Sequence, residues 1–402
     1  MIDLEFTELD PPREITATPS ELRTLRRARH GLRIEELGDD RVRVGPRIGY
    51  AGTVLLPTGR RIVVMPKAPI SNLPELLALA YRAMALPLAA GAAAIDEAIP
   101  TDWLLLQLIG EIEELLSRGL RRGYVERREL LAYVRGRLRP QLNPARLPFA
   151  DCEYSDFVSD TAENRLLRGV LEFLAPAASN PIVRRRMGDA LAAFAGVSLV
   201  RPSLVAFDRV AVTRLNAHYQ PSLRLARIAL EGAGVHDAVG ASTAPAYFVP
   251  MWRVWEAAVA SALRDAGIQH VHEQPEFADR FVQQGGYPKL RVTLRPDLLI
   301  GYRGTPALAI DLKWAPALEL RYGKKRLRNQ HLYQLATYCA ALRCDGLLVY
   351  PEMEDQIDSM YEFNGRTIRI RTVNLATPSL ADLRSFAVNL AEKMAEPGMR
   401  AG

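Results

Sequence analysis

Apolar and polar residues alternate in the first part of the chain, which is the pattern of β-strands with one buried face. In "DRVRVGPRIGY" the apolar Val42 and Val44 alternate with charged residues. In "GTVLLPTGRRIVVMPK" two apolar runs flank a Pro-Thr-Gly sequence that favours a turn, and this predicts a β-hairpin. The chain is therefore expected to begin with a β-rich region.

A helical period replaces this alternation from about residue 73. The segments "LPELLALAYRAM", "TDWLLLQLIGEIEELLSRGL", "TAENRLLRGVLEFLA" and "PSLRLARIALEGAG" all carry apolar residues at helical spacing. Thr101 or Asp102 is the expected cap of the second of these helices, and Gly119 lies near its end. The apolar run at residues 83–95 predicts a buried helix interrupted by proline and glycine, and it is too short to span a membrane.

The segment "GASTAPAY", residues 240–247, is expected to be a linker. Beyond it, "MWRVWEAAVASALRDAG" and "NQHLYQLATYCAALR" predict helices, and "LRPDLLI", "PALAIDLKW" and "GLLVYPE" predict strands. This order indicates an α/β module with a mixed central sheet. We therefore predict an α+β N-terminal region of β-hairpins and helices at 1–150, a helical connecting region at 151–245, and the α/β domain at 246–402.

The composition is that of a folded soluble protein. The 402 residues, of which 49% are hydrophobic and 24% charged, suffice for two or three cores. A formal net charge of +6 is compatible with a polyanionic partner such as DNA. The three cysteines form no CxxC pair, and the N-terminal "MIDLEFTELD" has no apolar signal segment. We expect a cytoplasmic protein with no membrane contact, no disulfide framework and no Walker A loop of its own.

Two carboxylates and a lysine stand on strands that are otherwise apolar. Asp297 follows Pro296 at the start of one predicted strand, and Asp311-Leu312-Lys313 ends the next. This arrangement resembles the motif of the PD-(D/E)xK nucleases, in which neighbouring strands present the catalytic carboxylates. Side chains two apart on a strand share a face, so Asp311 and Lys313 are expected to face the same site.

These residue types suit phosphodiester hydrolysis. Carboxylate oxygens suit Mg2+, for which Mn2+ can substitute, and a hard cation offsets charge on the phosphate and activates water. Asp297 and Asp311 are the candidate metal ligands, with the carbonyl of Leu312 as a third oxygen, and Lys313 is the candidate for stabilising the transition state. The alternative is an exposed hairpin with a surface ion pair. The apolar run before Asp311 favours an interior strand, where an unpaired carboxylate is unfavourable.

Three further residues are candidates for the same site. Gln334 and Tyr338 lie four apart on one helical face and resemble the QxxxY motif of RecB-like nucleases. Glu256, on the helix before the sheet, resembles the acidic residue of the first helix that reaches the metal in many members of this superfamily. Each of the three has an ordinary alternative as a solvated or packed helix residue.

A basic cluster separates Lys313 from the helix that carries Gln334. Within "RYGKKRLRNQH", the candidate contacts to a DNA backbone are Lys324, Lys325, Arg326 and Arg328. The alternative for this stretch is a solvated loop.

The order of segments resembles the McrC family, the nuclease subunits of McrBC modification-dependent restriction systems. The matching segments run from about Gly49 to Leu342 and include "GYAGTVLLPTGRRIVVMPKAP", "GLRRGYVERRELLAYVRGRL", "RPDLLI", "AIDLKW" and "YQLATYCAAL". The stretch "CEYSDFVSDTAENR", from Cys152 to Arg165, is the most distinctive of them.

The resemblance implies a DNA endonuclease whose N-terminal domain docks on a ring of the AAA+ GTPase McrB and stimulates it, while McrB recognises modified cytosine. It assigns Asp297, Asp311 and Lys313 to the family's catalytic positions. Two positions depart from the family, because Trp314 replaces a frequent tyrosine and His331 replaces an aspartate. The alternatives are a catalytically inactive adaptor of an AAA+ NTPase, against which the intact triad argues, and a stand-alone RecB-like repair nuclease, against which the long N-terminal half argues.

Overall fold

The structure is a computed structural model that describes residues 4–70, 73–81, 100–138, 149–178, 180–211, 213–232, 246–278, 280–281, 283–285, 288, 292–302 and 305–395. The interrupted helix predicted at 83–95 and most of the linker predicted at 240–247 lie outside these residues. Among the described helices, none is both long enough and apolar enough to cross a bilayer.

Helices and strands follow one another through the described part of the chain. The helices are α1 (Pro19–Arg27), α2 (Leu73–Tyr81), α3 (Pro100–Ser117), α4 (Ala162–Leu174), α5 (Pro181–Ala193), α6 (Leu204–Asp208), α7 (Gln220–Gly232), α8 (Met251–Asp265), α9 (Asn329–Leu342) and α10 (Ala381–Ala395). The strands are β1 (Leu4–Thr7), β2 (Arg13–Thr16), β3 (Leu32–Gly38), β4 (Arg41–Pro46), β5 (Tyr50–Leu55), β6 (Arg61–Met65), β7 (Gly123–Leu131), β8 (Arg137–Leu138), β9 (Ala150–Val158), β10 (Ala246–Pro250), β11 (Val271–Glu273), β12 (Leu298–Tyr302), β13 (Thr305–Leu312), β14 (Leu318–Arg321), β15 (Lys324–Leu327), β16 (Asp345–Pro351), β17 (Asp358–Phe363) and β18 (Arg366–Val373).

The chain folds into two compact units whose boundaries differ from the predicted ones. The first unit comprises Met1–Ala89, Asp96–Pro100 and Ala246–Gly402, and the second comprises Ala90–Ile95 and Thr101–Pro245. The predicted boundary after residue 150 falls inside β9, which pairs with β7 along its whole length. The last residues of the predicted linker begin β10, which pairs with β5. Strands hydrogen-bonded in one sheet stay together, so sheet pairing sets these boundaries.

The N-terminal part of the first unit is β-rich, as predicted. Its main sheet has the order β1, β6, β5 and β10, and a smaller sheet has the order β2, β4 and β3. The predicted hairpin is confirmed by the antiparallel pairing of β5 with β6, in which Val54 lies opposite Ile62. Phe6 of β1 and Phe248 of β10 are both fully buried in one core, so two segments of the unit that are far apart in the sequence meet in a single hydrophobic cluster.

The C-terminal part of the first unit contains a mixed sheet, which confirms that prediction. Its strand order is β11, β12, β13, β16, β18 and β17. The three central strands β13, β16 and β18 run parallel, and the outer pairs are antiparallel. The parallel step from β13 to β16 passes through α9, which packs against both strands. The predicted helices and strands of this region are all present at their expected positions.

The second unit combines the predicted helices with a sheet that the sequence reading missed. Strands β7, β9 and β8 form a three-stranded antiparallel sheet. Residues of β7 alternate between partly buried and exposed along its nine residues, so neither face carries the apolar run that identifies a core strand. The predicted cap of α3 is also wrong in detail, because Asp102 lies inside the helix. Its side chain accepts a hydrogen bond of 3.1 Å from the backbone amide of Asn180.

Candidate active site

Asp297 lies immediately before β12 and is tied to the neighbouring strand. Its Oδ2 accepts a hydrogen bond of 2.7 Å from the backbone amide of Leu312, and its backbone carbonyl accepts one of 2.8 Å from the backbone amide of Gln274. Since β12 pairs antiparallel with β13, these bonds hold the Asp297 carboxyl beside the carboxyl end of β13. Leu312 thus contributes its amide to the site, and its carbonyl stays a predicted ligand.

Asp311 and Lys313 form an ion pair at the end of β13. The Lys313 Nζ lies 2.8 Å from the Asp311 Oδ2, and the Asp311 side chain is fully buried while that of Lys313 is 20% exposed. β13 pairs with β12 on one side and β16 on the other, so it is the interior strand that its apolar residues predict. Neither Asp311 oxygen accepts a hydrogen bond of regular geometry from the described residues.

Gln334 and Tyr338 of α9 reach this pair through a short hydrogen-bonded chain. The Lys313 Nζ donates to the Gln334 Oε1 at 3.1 Å, and the Gln334 Nε2 donates to the Tyr338 hydroxyl at 2.9 Å. That hydroxyl in turn donates to the Arg295 carbonyl at 3.1 Å. Gln334 is exposed and Tyr338 is buried, so this series of hydrogen bonds leads from solvent to the interior beside the sheet.

A glycine lets α9 lie close enough to the sheet for these contacts. A Cβ atom at Gly346 of β16 would stand 2.5 Å from the Cys339 Sγ and 3.0 Å from the Leu335 side chain. Cys339 and Leu335 are fully buried on the face of α9 that meets the sheet. The absence of a side chain at Gly346 therefore sets the depth at which α9 packs against the sheet.

Glu256 stands at the rim of the same site. Its Oε2 accepts a hydrogen bond of 3.0 Å from the Gln274 Nε2, and the Gln274 Oε1 accepts one of 2.6 Å from Arg295. Arg295 carries the carbonyl to which Tyr338 donates, so helices α8 and α9 are linked through this segment. Glu256 also interacts with the charge of Asp297, which places the two carboxyl groups near each other.

The three carboxyl groups share one electrostatic environment. Burial raises the pKa of Asp311 to about 6, against the opposing charge of Lys313. Burial and then the negative charge of Asp297 raise the pKa of Glu256 to about 7. Burial likewise raises the pKa of Asp297, although its bond from the Leu312 amide opposes that shift. Carboxylates crowded into a poorly solvated site resist ionisation until a cation offsets their charge.

The residues fit a divalent cation held largely by two carboxylates. Within the described ranges, no group of three or more His, Cys, Asp or Glu side chains is arranged to hold a metal by itself. Asp311 nevertheless carries two buried oxygens without regular hydrogen bonds, and Asp297 adjoins it from the next strand. Lys313 offsets one negative charge at the Asp311 Oδ2, and the second carboxylate, Asp297, leaves a charge in this poorly solvated site that a divalent cation would offset.

The basic cluster is a β-hairpin rather than a loop. Strands β14 and β15 pair antiparallel, with Arg321 opposite Lys324. Lys325 lies 2.7 Å from an oxygen of Asp355, and Arg328 donates to the Pro316 carbonyl at 3.0 Å. The remaining two candidates, Lys324 and Arg326, are exposed and make no ion pair within the described part of the chain.

Sequence reasoning missed a buried polar cluster that adjoins Lys313. Trp314 donates from its Nε1 to the Glu8 Oε1 at 2.9 Å, and Glu8 also accepts hydrogen bonds from the amides of Gly49 and Lys67. The Lys67 Nζ lies 3.5 Å from Glu8, with both side chains nearly inaccessible to solvent. The acidic N-terminal segment offers no pattern that distinguishes Glu8 from its neighbours, because its partners are far away in sequence.

His331 also lies near the site. Its Nδ1 forms a hydrogen bond of 2.9 Å with the hydroxyl of Tyr350 on β16. Burial, with the charges of Lys313 and Arg328, lowers the pKa of His331 to about 4. His331 is therefore neutral near pH 7 and adds no positive charge beside Lys313.

The distinctive segment from Cys152 to Arg165 lies in the second unit and builds its interior. Asp160 accepts two hydrogen bonds from Arg165, at 2.8 and 3.0 Å, and one of 2.7 Å from the Ser198 amide. Asn164 is fully buried and accepts a hydrogen bond of 2.8 Å from the Tyr219 hydroxyl. These polar groups are satisfied by one another, so the segment acts in folding.

Comparisons with known proteins give a similar fold and a family match. A chain in the solved assembly of Thermococcus gammatolerans McrB AAA+ hexamers with bound McrC is similar with a TM-score of 0.58 at 16% identity, covering 96% of this chain and 99% of that chain. A chain of the cryo-EM structure of the Thermococcus gammatolerans McrBC complex gives a TM-score of 0.43 at 17% identity over 67% of this chain and 89% of that one.

A curated relative gives a shorter match. The type IV methyl-directed restriction enzyme EcoKMcrBC of Escherichia coli (strain K12) is 33% identical over 75 residues, which is 17% of this chain and 22% of the length of that relative. The family described as McrBC 5-methylcytosine restriction system component matches residues 47–351.

The fold is therefore an α/β arrangement with a mixed sheet, similar to that of one chain in the Thermococcus gammatolerans assembly. The chain belongs to the McrBC 5-methylcytosine restriction system component family.

Proposed function

We propose that this chain is the Mg2+-dependent DNA endonuclease subunit of a McrBC-like restriction system, with a PD-(D/E)xK nuclease domain. The observation that carries the proposal is the buried ion pair of Asp311 with Lys313 beside Asp297. A surface ion pair would leave both side chains in water, whereas here the Asp311 carboxylate is fully buried in an interior strand.

The roles of the side chains follow from their contacts. Asp297 and Asp311 would hold the cation together with the Leu312 carbonyl, and Glu256 is the candidate for a further oxygen from the rim. The bound ion would offset charge on the scissile phosphate and lower the pKa of a water molecule. Mn2+ is expected to substitute for Mg2+, because both accept oxygen ligands in octahedral geometry.

Lys313 would act on the phosphate itself. Its Nζ is held between Asp311 and Gln334 and remains 20% exposed, so it can still donate a hydrogen bond to a phosphate oxygen. Tyr338 touches the Gln334 amide and the Arg295 carbonyl, so it would fix the orientation of Gln334. The hydrogen bonds that lead from Tyr338 through Gln334 would therefore hold the Lys313 Nζ in place while negative charge develops on the phosphate.

The partner follows from the family. The archaeal relative is a complex of McrB AAA+ hexamers with McrC, and we propose an equivalent AAA+ GTPase ring that recognises modified cytosine as the partner of this chain. The N-terminal part of the first unit would dock on that ring and stimulate it, and the part of the same unit that begins at residue 246 would cut DNA. Cleavage by the chain alone is expected to be slow.

The test compares cleavage with partner stimulation. Plasmid DNA carrying methylated cytosine is incubated with the AAA+ partner, GTP, Mg2+ and either the native chain or Lys313→Ala. We expect Lys313→Ala to abolish cleavage while it binds the partner and stimulates GTP hydrolysis as the native chain does. Lys393→Ala, an exposed lysine on α10, is the matched control and should cut normally.

Each other result has a definite meaning. Cleavage by Lys313→Ala at the native rate would show that Lys313 takes no part in the reaction. No cleavage by the native complex, with GTP hydrolysis still stimulated, would assign the chain as an adaptor. Cleavage that needs no partner would favour a stand-alone nuclease of the RecB type.

A further inference from the structure

The hairpin of β14 and β15 is rooted in the candidate active site at both ends. It leaves the sheet shortly after Lys313 and returns directly into α9, which carries Gln334. The hydrogen bond of 3.1 Å from the Lys313 Nζ to the Gln334 Oε1 joins the two segments between which the hairpin lies. Any phosphodiester placed at Lys313 would therefore have this hairpin beside it.

The tip of the hairpin presents an aromatic ring without an intramolecular contact. Tyr322 and Gly323 form the two-residue turn, both with positive φ, 51° and 73°, as a type I′ turn requires. A bulky residue is unusual in that conformation, and asparagine or glycine is the ordinary choice. Tyr322 is 99% exposed, so no packing within the described protein compensates for its backbone conformation.

The two faces of the hairpin differ in how their cations are used. Lys325 is held by both oxygens of Asp355, at 2.8 and 2.7 Å, which braces one face. Lys324 and Arg326 lie two apart on the other face of β15, are exposed, and make no ion pair within the residues described. Two unpaired cations below an exposed aromatic tip are complementary to a phosphate backbone flanking stacked bases.

The dimensions suit a DNA groove. A strand of four residues spans about 13 Å, which exceeds the depth of about 8.5 Å of the major groove. That groove is about 12 Å wide and admits a two-stranded β-ribbon.

We infer that this hairpin enters the major groove of the DNA next to the scissile phosphate. Lys324 and Arg326 contact phosphates, and Tyr322 contacts the bases. The inference rests on the proposed nuclease function and adds the element that orients the duplex on the site.

The test measures duplex binding as a function of salt. A fluorescein-labelled duplex is titrated with the full chain carrying Lys313→Ala, which binds without cutting, and with further changes in that background. Tyr322→Gly removes the ring and any side-chain contact with the bases, while Gly-Gly keeps the type I′ turn. Lys324→Ala with Arg326→Ala removes both free cations. Tyr124→Ala, a ring 77% exposed in the second unit, and Lys393→Ala are the matched controls.

Two different signatures are expected. Loss of two phosphate contacts should lower the slope of log affinity against log salt by about 1.8. Tyr322→Gly should weaken binding by about tenfold and leave that slope unchanged, because it removes a base contact and no charge. Both controls should bind as the parent does.

The inference and the proposed function fail in different ways. If both hairpin variants bound DNA with the parent's affinity and salt slope, the inference would be overturned. Cleavage by the native complex would still support the proposed function. Hairpin variants that bind DNA normally but lose the AAA+ partner would also overturn it and make the hairpin a protein contact. Absence of cleavage by the native complex would instead count against the proposed function.

Discussion

Trp314 donates a hydrogen bond from its indole Nε1 to the carboxylate of Glu8, a residue 306 positions earlier in the chain. Both side chains are buried, and Trp314 directly follows Lys313. The bond therefore fixes the end of the strand that carries the ion pair to the first strand region of the chain.

Trp314→Phe is expected to destabilise the first unit because it leaves a Glu8 oxygen without its indole donor. A hydrogen bond to a charged group contributes about 1.5–3 kcal/mol, and after its loss the same Glu8 oxygen still accepts a hydrogen bond of 3.2 Å from the Lys67 backbone amide. Trp255→Phe is the matched control, because Trp255 lies 6.5 Å from Trp314 between ring centroids and its Nε1 has no hydrogen-bond partner among the described residues. Urea unfolding measures both variants. Equal losses of unfolding free energy would show that the bond to Glu8 contributes nothing.

Binding of Mn2+ should weaken as the pH falls, because the carboxyl groups must lose their protons to hold a cation. The raised pKa values of about 6 for Asp311 and about 7 for Glu256 mean that both groups take up protons between neutral and mildly acidic pH. Before a cation binds, the same shifts favour folding at low pH, and that contribution is lost as the pH rises through 6 and 7. Cation binding should therefore release protons near pH 7.

Calorimetry in two buffers of different ionisation enthalpy measures both the affinity and the protons released. Asp297→Asn and Asp311→Asn should each abolish the binding. A native affinity that stays constant from about pH 8 to about pH 5.5 would contradict the assignment of these carboxyls as ligands.

Tyr338→Phe should slow DNA cleavage without weakening DNA binding. The change removes the hydroxyl that accepts from Gln334 and donates to the Arg295 carbonyl, and phenylalanine retains the buried ring. With Gln334 less fixed, Lys313 is less well placed, and we expect a loss of about tenfold in single-turnover rate. Tyr333→Phe on the same helix, where the side chain is 64% exposed, is the control. Equal rates for the two variants would show that Tyr338 does not position Lys313.

Asp160→Asn should unfold the second unit more readily. The hydrogen bonds from Arg165 hold the pKa of Asp160 well below its usual range, so its contribution to stability is present at neutral pH and lost only under strongly acidic conditions. We expect a loss of about 1–3 kcal/mol at neutral pH. Asp208→Asn, whose ion pair with Arg227 is exposed, is the control and should change stability little. Thermal unfolding compares the two variants, and similar losses would show that the hydrogen-bond network at Asp160 contributes no more to stability than an exposed ion pair does.

The sequence alone determined the elements with strong local patterns. The hairpin of β5 and β6, the helices α8 and α9 and the strands β12, β13 and β16 all appear where apolar periodicity predicts them. It also identified Asp297, Asp311 and Lys313 as one group, because residues two apart on a strand share a face and the adjoining strand brings the third residue alongside.

Tertiary structure alone decided which distant segments meet. The pairing of β10 with β5 and the bond between Glu8 and Trp314 join segments that are far apart in the chain, and no local period encodes such contacts. The sheet of β7, β8 and β9 escaped prediction for the same reason, since its partly exposed strands lack an apolar face. Burial of the Asp311 carboxylate, and with it the raised pKa, exists only once β13 lies between two neighbouring strands, because desolvation is a property of the packed chain.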